Sequence, residues 1–196
     1  MCIRDRGCDS KELFEDLQIA KDPAFAKNLN QYEVLYLVIT LFLSTLKQDD
    51  MLVERMEQEI INDLGKVYPE VGKEQHLVDA LCAFHERTEE KMILIIDEWD
   101  AMFRECKGQT HILDAYILLL RSLFKSSLTD QLFSGVYMTG ILPIKKYGHE
   151  SAVSDFYEYT MVDPCPLQEY IGFTETEVEM PVSYTHLRAH ETGRNL

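Results

Sequence analysis

Met92–Asp100 reads MILIIDEWD: five apolar residues run directly into Asp97, Glu98, Trp99 and Asp100, three carboxylates within four positions. A short, continuously apolar run bounded by polar residues predicts a strand buried on both faces, as in parallel sheets. Ending that strand at Asp-Glu delivers carboxylates to the carboxyl end of the sheet, where open α/β folds bind their ligands. Two neighbouring runs read alike: Val34 to Thr40 (VLYLVIT), and a third short strand from Val136 to Thr139 that stops at Thr139-Gly140. Long helical patterns separate them. Leu52, Met56, Ile60 and Leu64 recur every four residues between about Ser44 and Leu64, with Gly65 and Pro69 as closing signals. Glu74 to Glu90 places Leu77, Leu81 and Phe84 inward, and Ile112 to Lys125 packs Leu113, Tyr116, Ile117, Leu120 and Phe124 at helical spacing. Strands alternating with helical connections predict an α/β fold with a mainly parallel sheet covered by helices on both faces.

Further out, Asp9 to Leu17 reads as a short helix with an Asp cap and Glu12 three residues on, and Asp22-Pro23 as a second helix start running to about Asn30. Nowhere do roughly 20 apolar residues run together, and the N-terminus lacks the apolar core of a secretory signal. A cytoplasmic location without membrane contact is the expectation. Cys2, Cys8, Cys82, Cys106 and Cys165 are scattered and odd in number, which argues for reduced thiols over a disulfide framework. The 196 residues carry a formal charge of −15, which repels a phosphate backbone, so nucleic acid is not expected as a partner.

Both ends read as translated sequencing-library adapter. Met1–Arg6 is MCIRDR and Val182–Thr192 is VSYTHLRAHET, each matching a translated transposon-end sequence in frame. The expected partition is 1–6 and 182–196 as adapter, with 7–181 as a native domain fragment. Setting those ends aside leaves 15 basic against 32 acidic residues, net −17 over 175. It also removes His186, His190 and Glu191 as a zinc motif. His76, His85, His111 and His149 are too dispersed to bind a metal together.

An hhhhDE pattern suits phosphoryl transfer, with Asp97 holding Mg²⁺ and Glu98 accepting a proton from the attacking water. Alone it is weak, because acidic residues often end strands where solvent begins. Thr139 at the end of a later strand would add a hydroxyl beside the two acids. Two other classes stay open: a non-catalytic NTPase-like scaffold or regulatory domain in which Asp97 and Glu98 are structural caps, and a metal-dependent nuclease built on Asp97, Glu98 and Asp100.

The segments SKELFEDLQIAKDPAF, ILIIDEWDAMFRE, LLRSLFKSSLTD, VYMTGILPIKKYG, SAVSDFYEYTMVDP and EYIGFTETEV resemble, in order, the bacterial AAA-ATPase-like family of predicted P-loop ATPases. The resemblance spans nearly all of Cys8 to Val178. It implies an incomplete three-layer P-loop NTPase fold whose first strand, adjoining the 136–139 strand, is missing. It also implies Walker B acids at Asp97 and Glu98, a γ-phosphate sensor at Thr139, and ATP and Mg²⁺ as cofactors. Thr139 thus counts as both a catalytic and a nucleotide-binding position. Trp99 and Asp100 occupy an aromatic and an Asp position of the family, for which packing and strand-end capping are expected. Relatives carry a Walker A segment ending in Gly-Lys-Ser or Gly-Lys-Thr before the position of Cys8, and often a C-terminal nuclease-like domain of the PD-(D/E)XK type. Here Gly65-Lys66-Val67 and Gly72-Lys73-Glu74 lack the hydroxyl, so the expectation is an ATPase parent and an inactive fragment. Val38 stands where relatives have an Asp. Arg121, Lys145 and Lys146 are secondary phosphate or interprotomer candidates, and oligomerisation is left open. Thr174–Glu177 reads as a capping box without chemistry of its own.

Overall fold

The computed structural model describes residues 2–3, 9–124, 127–142, 156–160 and 162–163. The chain divides into two units, 1–156 and 157–196. The first holds a mixed α/β fold. Three strands, β2 (Glu33–Val38), β3 (Met92–Asp97) and β4 (Phe133–Met138), lie side by side in that order and are parallel throughout. A two-residue β1, Cys2–Ile3, pairs antiparallel with β2 on its outer edge. On its other side β4 has no strand partner among the described residues, and Tyr137 is 48% exposed there. Within the second unit, Thr160 and Asp163 exchange backbone hydrogen bonds; Tyr157–Thr160 and Val162–Asp163 are not in strand. Lys145, Lys146, His149, Cys165, Thr174–Glu177 and the C-terminal adapter-like stretch lie outside the described residues.

The apolar runs predict burial on both faces, and the strands instead alternate. Leu35, Leu37, Met92, Leu94 and Ile96 are buried, while Tyr36, Val38, Ile93, Ile95 and Asp97 on the opposite face are half-buried. The crossovers supply the reason. β2→β3 and β3→β4 step in the same direction, and two right-handed crossovers of that kind set their helices on one face. Accordingly α3 (Leu52–Val67) touches both α4 (Leu77–Thr88) and α6 (Thr110–Phe124). All four residues of the four-residue repeat, Leu52, Met56, Ile60 and Leu64, are buried, and Tyr116, Ile117 and Leu120 of α6 join the same core.

Where sequence and structure part, a local competitor is identifiable. The expected strand ends at Val38 because Ile39 opens α2 (Ile39–Thr45), burying Ile39, Phe42 and Leu43; tertiary packing overrides their β preference. The long helix expected from Ser44 breaks between α2 and α3. Ser44 and Thr45 bond back to the Leu41 carbonyl, each at 2.8 Å, and Asp49 then accepts the Met51 N–H at 3.1 Å. Between residues 9 and 30 there are two 3₁₀ turns, Lys11–Leu13 and Gln18–Lys21, and a four-residue α1, Phe25–Asn28, rather than two helices. Ser10 turns toward the Asn30 side chain instead of capping, and Leu13 and Leu17 remain exposed with no core to enter.

Gly65 does not end its helix. It lies inside α3 against Gly72, and a Cβ on either would sit 2.7–2.8 Å from the other's Cα. Lys66 pairs with Asp63 and Lys73 with Glu70 on the surface. Both Gly-Lys pairs are therefore helix-to-turn packing, not phosphate loops. Gly72→Ala is expected to cost about 1–3 kcal/mol, because backbone has to move to admit the methyl group; urea denaturation with an unchanged midpoint would contradict this.

Candidate functional site

At the carboxyl end of β3 the chain turns sharply. Asp97 is the last strand residue, and Glu98 takes a left-handed φ of 53°, unusual for a residue with a Cβ. Trp99 and Asp100 then turn inward and are buried, Asp100 completely. Alternation along β3 sets this division: Asp97 falls on the half-buried face of the sheet, and the turn sends the next carboxylate outward and the last one into the core.

Asp97 is held by two hydroxyls from the neighbouring strands. Thr139, one residue past β4, donates to Oδ1, and Tyr36 of β2 donates to Oδ2 at 2.8 Å. The register explains both contacts. Tyr36 lies opposite Ile95, one same-face step from Asp97, and the ladder continues past β4 with the Thr139 N–H bonded to the Ile96 carbonyl at 2.9 Å. Thr139 also accepts the Glu98 N–H at 3.3 Å, and its carbonyl receives the Trp99 N–H at 3.0 Å. The Thr139 hydroxyl, then Tyr36, hold the Asp97 carboxyl below its usual range against a smaller opposing effect of burial. Tyr36 is correspondingly raised, chiefly by the same hydrogen bond.

The sign of the pH effect follows. A carboxylate whose folded pKa is depressed contributes stability that is present above its unfolded value, about 3.9, and is lost as the pH falls through the lower folded value. Thr139→Val removes the larger cause, so Asp97 should titrate closer to the ordinary range. A ¹³C NMR titration that finds its midpoint unmoved would disprove the Thr139 contribution.

Asp100 has different work. Its carboxylate accepts the N–H groups of Ile141 (3.3 Å) and Leu142 (3.1 Å) and pairs with Arg104 Nε at 3.1 Å. Arg104, on α5 (Ala101–Glu105), also reaches Glu98 Oε2 through Nη2 at 3.1 Å. Burial opposes the guanidinium charge, but Asp100 and Glu98 together outweigh it and raise its pKa. Tyr116 donates to the Trp99 carbonyl at 2.9 Å, and burial followed by the charge of Asp100 pushes its phenol up. Trp99 packs edge-on against Phe103, whose ring meets Tyr116 in turn. A Cβ at Gly140 would lie 2.7 Å from both the Asp100 carboxylate and the Trp99 ring, which is why the loop after Thr139 begins with glycine.

The fold thus brings Asp97, Glu98 and Thr139 together as expected from sequence, and gives Trp99 and Asp100 the packing and capping roles expected for them. Val38 is the register partner of Asp97 and adds no polar atom. Arg121 lies on α6. The sequence alone does not distinguish Tyr36 or Arg104. Tyr36 shares the parity of the half-buried face, and Arg104 stands four residues after Asp100, an ordinary helical ion-pair spacing; neither signal is specific without the register. Among the described residues no three His, Cys, Asp or Glu side chains converge as a metal cage. A nuclease centre using Asp100 as third carboxylate finds that group buried and already bonded. Mg²⁺ needs only one or two carboxylates when phosphate and water supply the rest. Two of the roughly four lone-pair sites of Asp97 are taken by hydroxyls, and the others fit such an ion.

The family model of the AAA-ATPase-like family, described as predicted AAA-ATPase, matches residues 4–149. The match contains the whole carboxylate turn and the loop after β4, and stops before residues 151–164 and 169–178. No curated protein and no solved structure matches the chain.

Proposed function

The chain belongs to the AAA-ATPase-like family of predicted AAA-ATPases, and from that premise we propose that the Asp97–Glu98–Thr139 cluster is the metal and water side of a nucleotide site. The observation that carries this reading is the hydroxyl-clamped Asp97 beside Glu98, whose carboxylate accepts from no hydroxyl among the described residues, at the carboxyl end of a parallel sheet. Asp97 corresponds to the first Walker B acid. Held ionised by Thr139 and Tyr36, it is a poor base and a good ligand for Mg²⁺, which would neutralise charge on the phosphate oxygens of ATP.

Glu98 is the group left to take a proton. Its side chain is 43% exposed and bonded to Arg104 rather than to a hydroxyl donor. In the proposed reaction a water approaches the γ-phosphorus, Glu98 accepts its proton, and Asp97 remains a carboxylate throughout. Thr139 has a single proton, donated to Asp97. To sense a γ-phosphate it has to redirect that proton to a phosphate oxygen, so sensing and the hold on Asp97 are coupled.

The sequence contains no Gly-Lys-Ser or Gly-Lys-Thr, the element that supplies backbone amides and a lysine to the phosphates. The 196-residue chain is therefore expected not to hydrolyse ATP measurably. Phosphate release assayed with Mg²⁺ tests this; turnover by the purified chain that disappears in Glu98→Ala would show that the site is complete as it stands. A scaffold reading draws on the same two hydroxyl contacts to Asp97, and Mg²⁺-dependent turnover in the full-length protein separates the two. A nuclease-like domain in that protein belongs to the same proposal and rests on the family resemblance alone.

A further inference from the structure

The family reading leaves Arg104 without a task, yet its guanidinium joins the two outer carboxylates of the turn. Nε is bonded to Asp100, a carboxylate with no solvent exposure, and Nη2 to Glu98; both contacts are 3.1 Å. Asp100 in turn holds the Ile141 and Leu142 amides, and Thr139, at the head of that loop, receives the Glu98 N–H. A closed ring results: Glu98 to Arg104, Arg104 to Asp100, Asp100 to the 139–142 loop, and that loop back to Glu98. Glu98 itself stands in the left-handed region, a conformation that persists in a residue with a Cβ only when its surroundings over-determine it. The ring supplies that determination from both ends of the residue, the backbone through Thr139 and the carboxylate through Arg104.

We propose that Arg104 is a positioning residue that ties the Glu98 carboxylate to the buried Asp100 anchor, so that Glu98 and the 139–142 loop move as one unit. A surface ion pair alone would carry little weight. This one differs because one end of the guanidinium is fixed on a fully buried partner, so that its second donor arm is pre-set and Glu98 alone has to give up freedom. The other ionisable groups around the ring are Asp97 on the same turn, Tyr36 from β2 and Tyr116 from α6. The consequence for turnover rests on Glu98 being the base: with Arg104 in place, its carboxylate is available to water only in the orientation that the loop dictates.

The test uses the 196-residue chain and the NMR relaxation of the Glu98 side-chain methylenes. In Arg104→Gln these methylenes are expected to become more mobile, and Arg104→Lys, which keeps the charge but loses the two-armed fork, should restore little of their order. Unmoved methylene order in Arg104→Gln overturns the proposal. Should Arg104→Gln fail to fold, Glu98→Ala removes the acceptor and leaves the Asp100 anchor in place, and the readout becomes hydrogen exchange of the Arg104 guanidinium. Faster exchange at the η protons with a protected Nε–H supports the tie, and unchanged exchange at both removes it. Neither readout involves nucleotide. Full-length turnover that is indifferent to Asp97→Asn and Glu98→Gln would therefore end the ATPase reading and leave the tie standing, while unmoved methylene order in Arg104→Gln would end the tie alone.

Discussion

Glu98→Gln, in a protein that also supplies a Gly-Lys-Ser or Gly-Lys-Thr segment and turns over ATP as proposed, is expected to cut Mg²⁺-dependent turnover by roughly 10²–10⁴-fold, the range for removing a positioned general base. Nucleotide affinity should be little changed. Gln keeps the length and the hydrogen-bonding oxygen of Glu, so the Arg104 contact survives in neutral form and the left-handed backbone at 98 is not disturbed. What disappears is the ability to take a proton. Asp97 is no substitute, because Thr139 and Tyr36 both donate to it and hold its pKa low. Turnover and nucleotide binding measured on the same preparation decide the matter: a loss below about tenfold, with binding intact, would demote Glu98 from base to cap. A parallel loss of both would instead indicate damage to the turn.

The centre of this arrangement was legible from a few residues because their physical signals are strong and local. An apolar pentapeptide ending in Asp-Glu can be little other than a buried strand meeting solvent, and Asp97 does end β3. The four-residue repeat of α3 and the helical spacing of α6 likewise reach the core as read. Boundaries were less legible wherever a short-range alternative competes. Ile39 and Thr40 belong to a helix despite their β-branched side chains, since Ile39 buries better there, and Gly65 punctuates nothing because its role is to let Gly72 approach. Tyr36 and Arg104 were invisible for another reason. Their significance lies in which atoms the register and the first turn of α5 bring within 3.1 Å, and no periodicity encodes that. The one-sided burial of the sheet is similar: an apolar strand announces that it is sheltered, whereas the direction of its crossovers decides on which face.

Asp100→Ala is expected to destabilise the chain by about 3 kcal/mol, near the lower end of the range for breaking a buried charge pair, since Arg104 keeps partial access to water. The contributions are separable. Two loop amides, Ile141 and Leu142, lose their acceptor; Ile141 is exposed and its N–H can turn to water, so the pair costs about the net worth of two hydrogen bonds, of order 1 kcal/mol each. Arg104 loses the anchor that justified its partial burial, and the space vacated beside Trp99 and Gly140 adds a cavity cost. For a chain of this size the sum corresponds to a fall in Tm of roughly 6–12 °C. Asp100→Asn separates charge from shape. It retains an acceptor for the loop and nearly the same volume, so a markedly smaller loss is expected, confined to the pairing with Arg104. Thermal and urea unfolding of both variants check this. Equal losses in Ala and Asn would mean that charge alone matters, and no loss in either would mean that the 139–142 loop does not depend on Asp100. The latter result would also remove one tie between this loop and the carboxylate turn, leaving the bonds that Thr139 makes with Ile96, Asp97, Glu98 and Trp99 to hold its first residue in place.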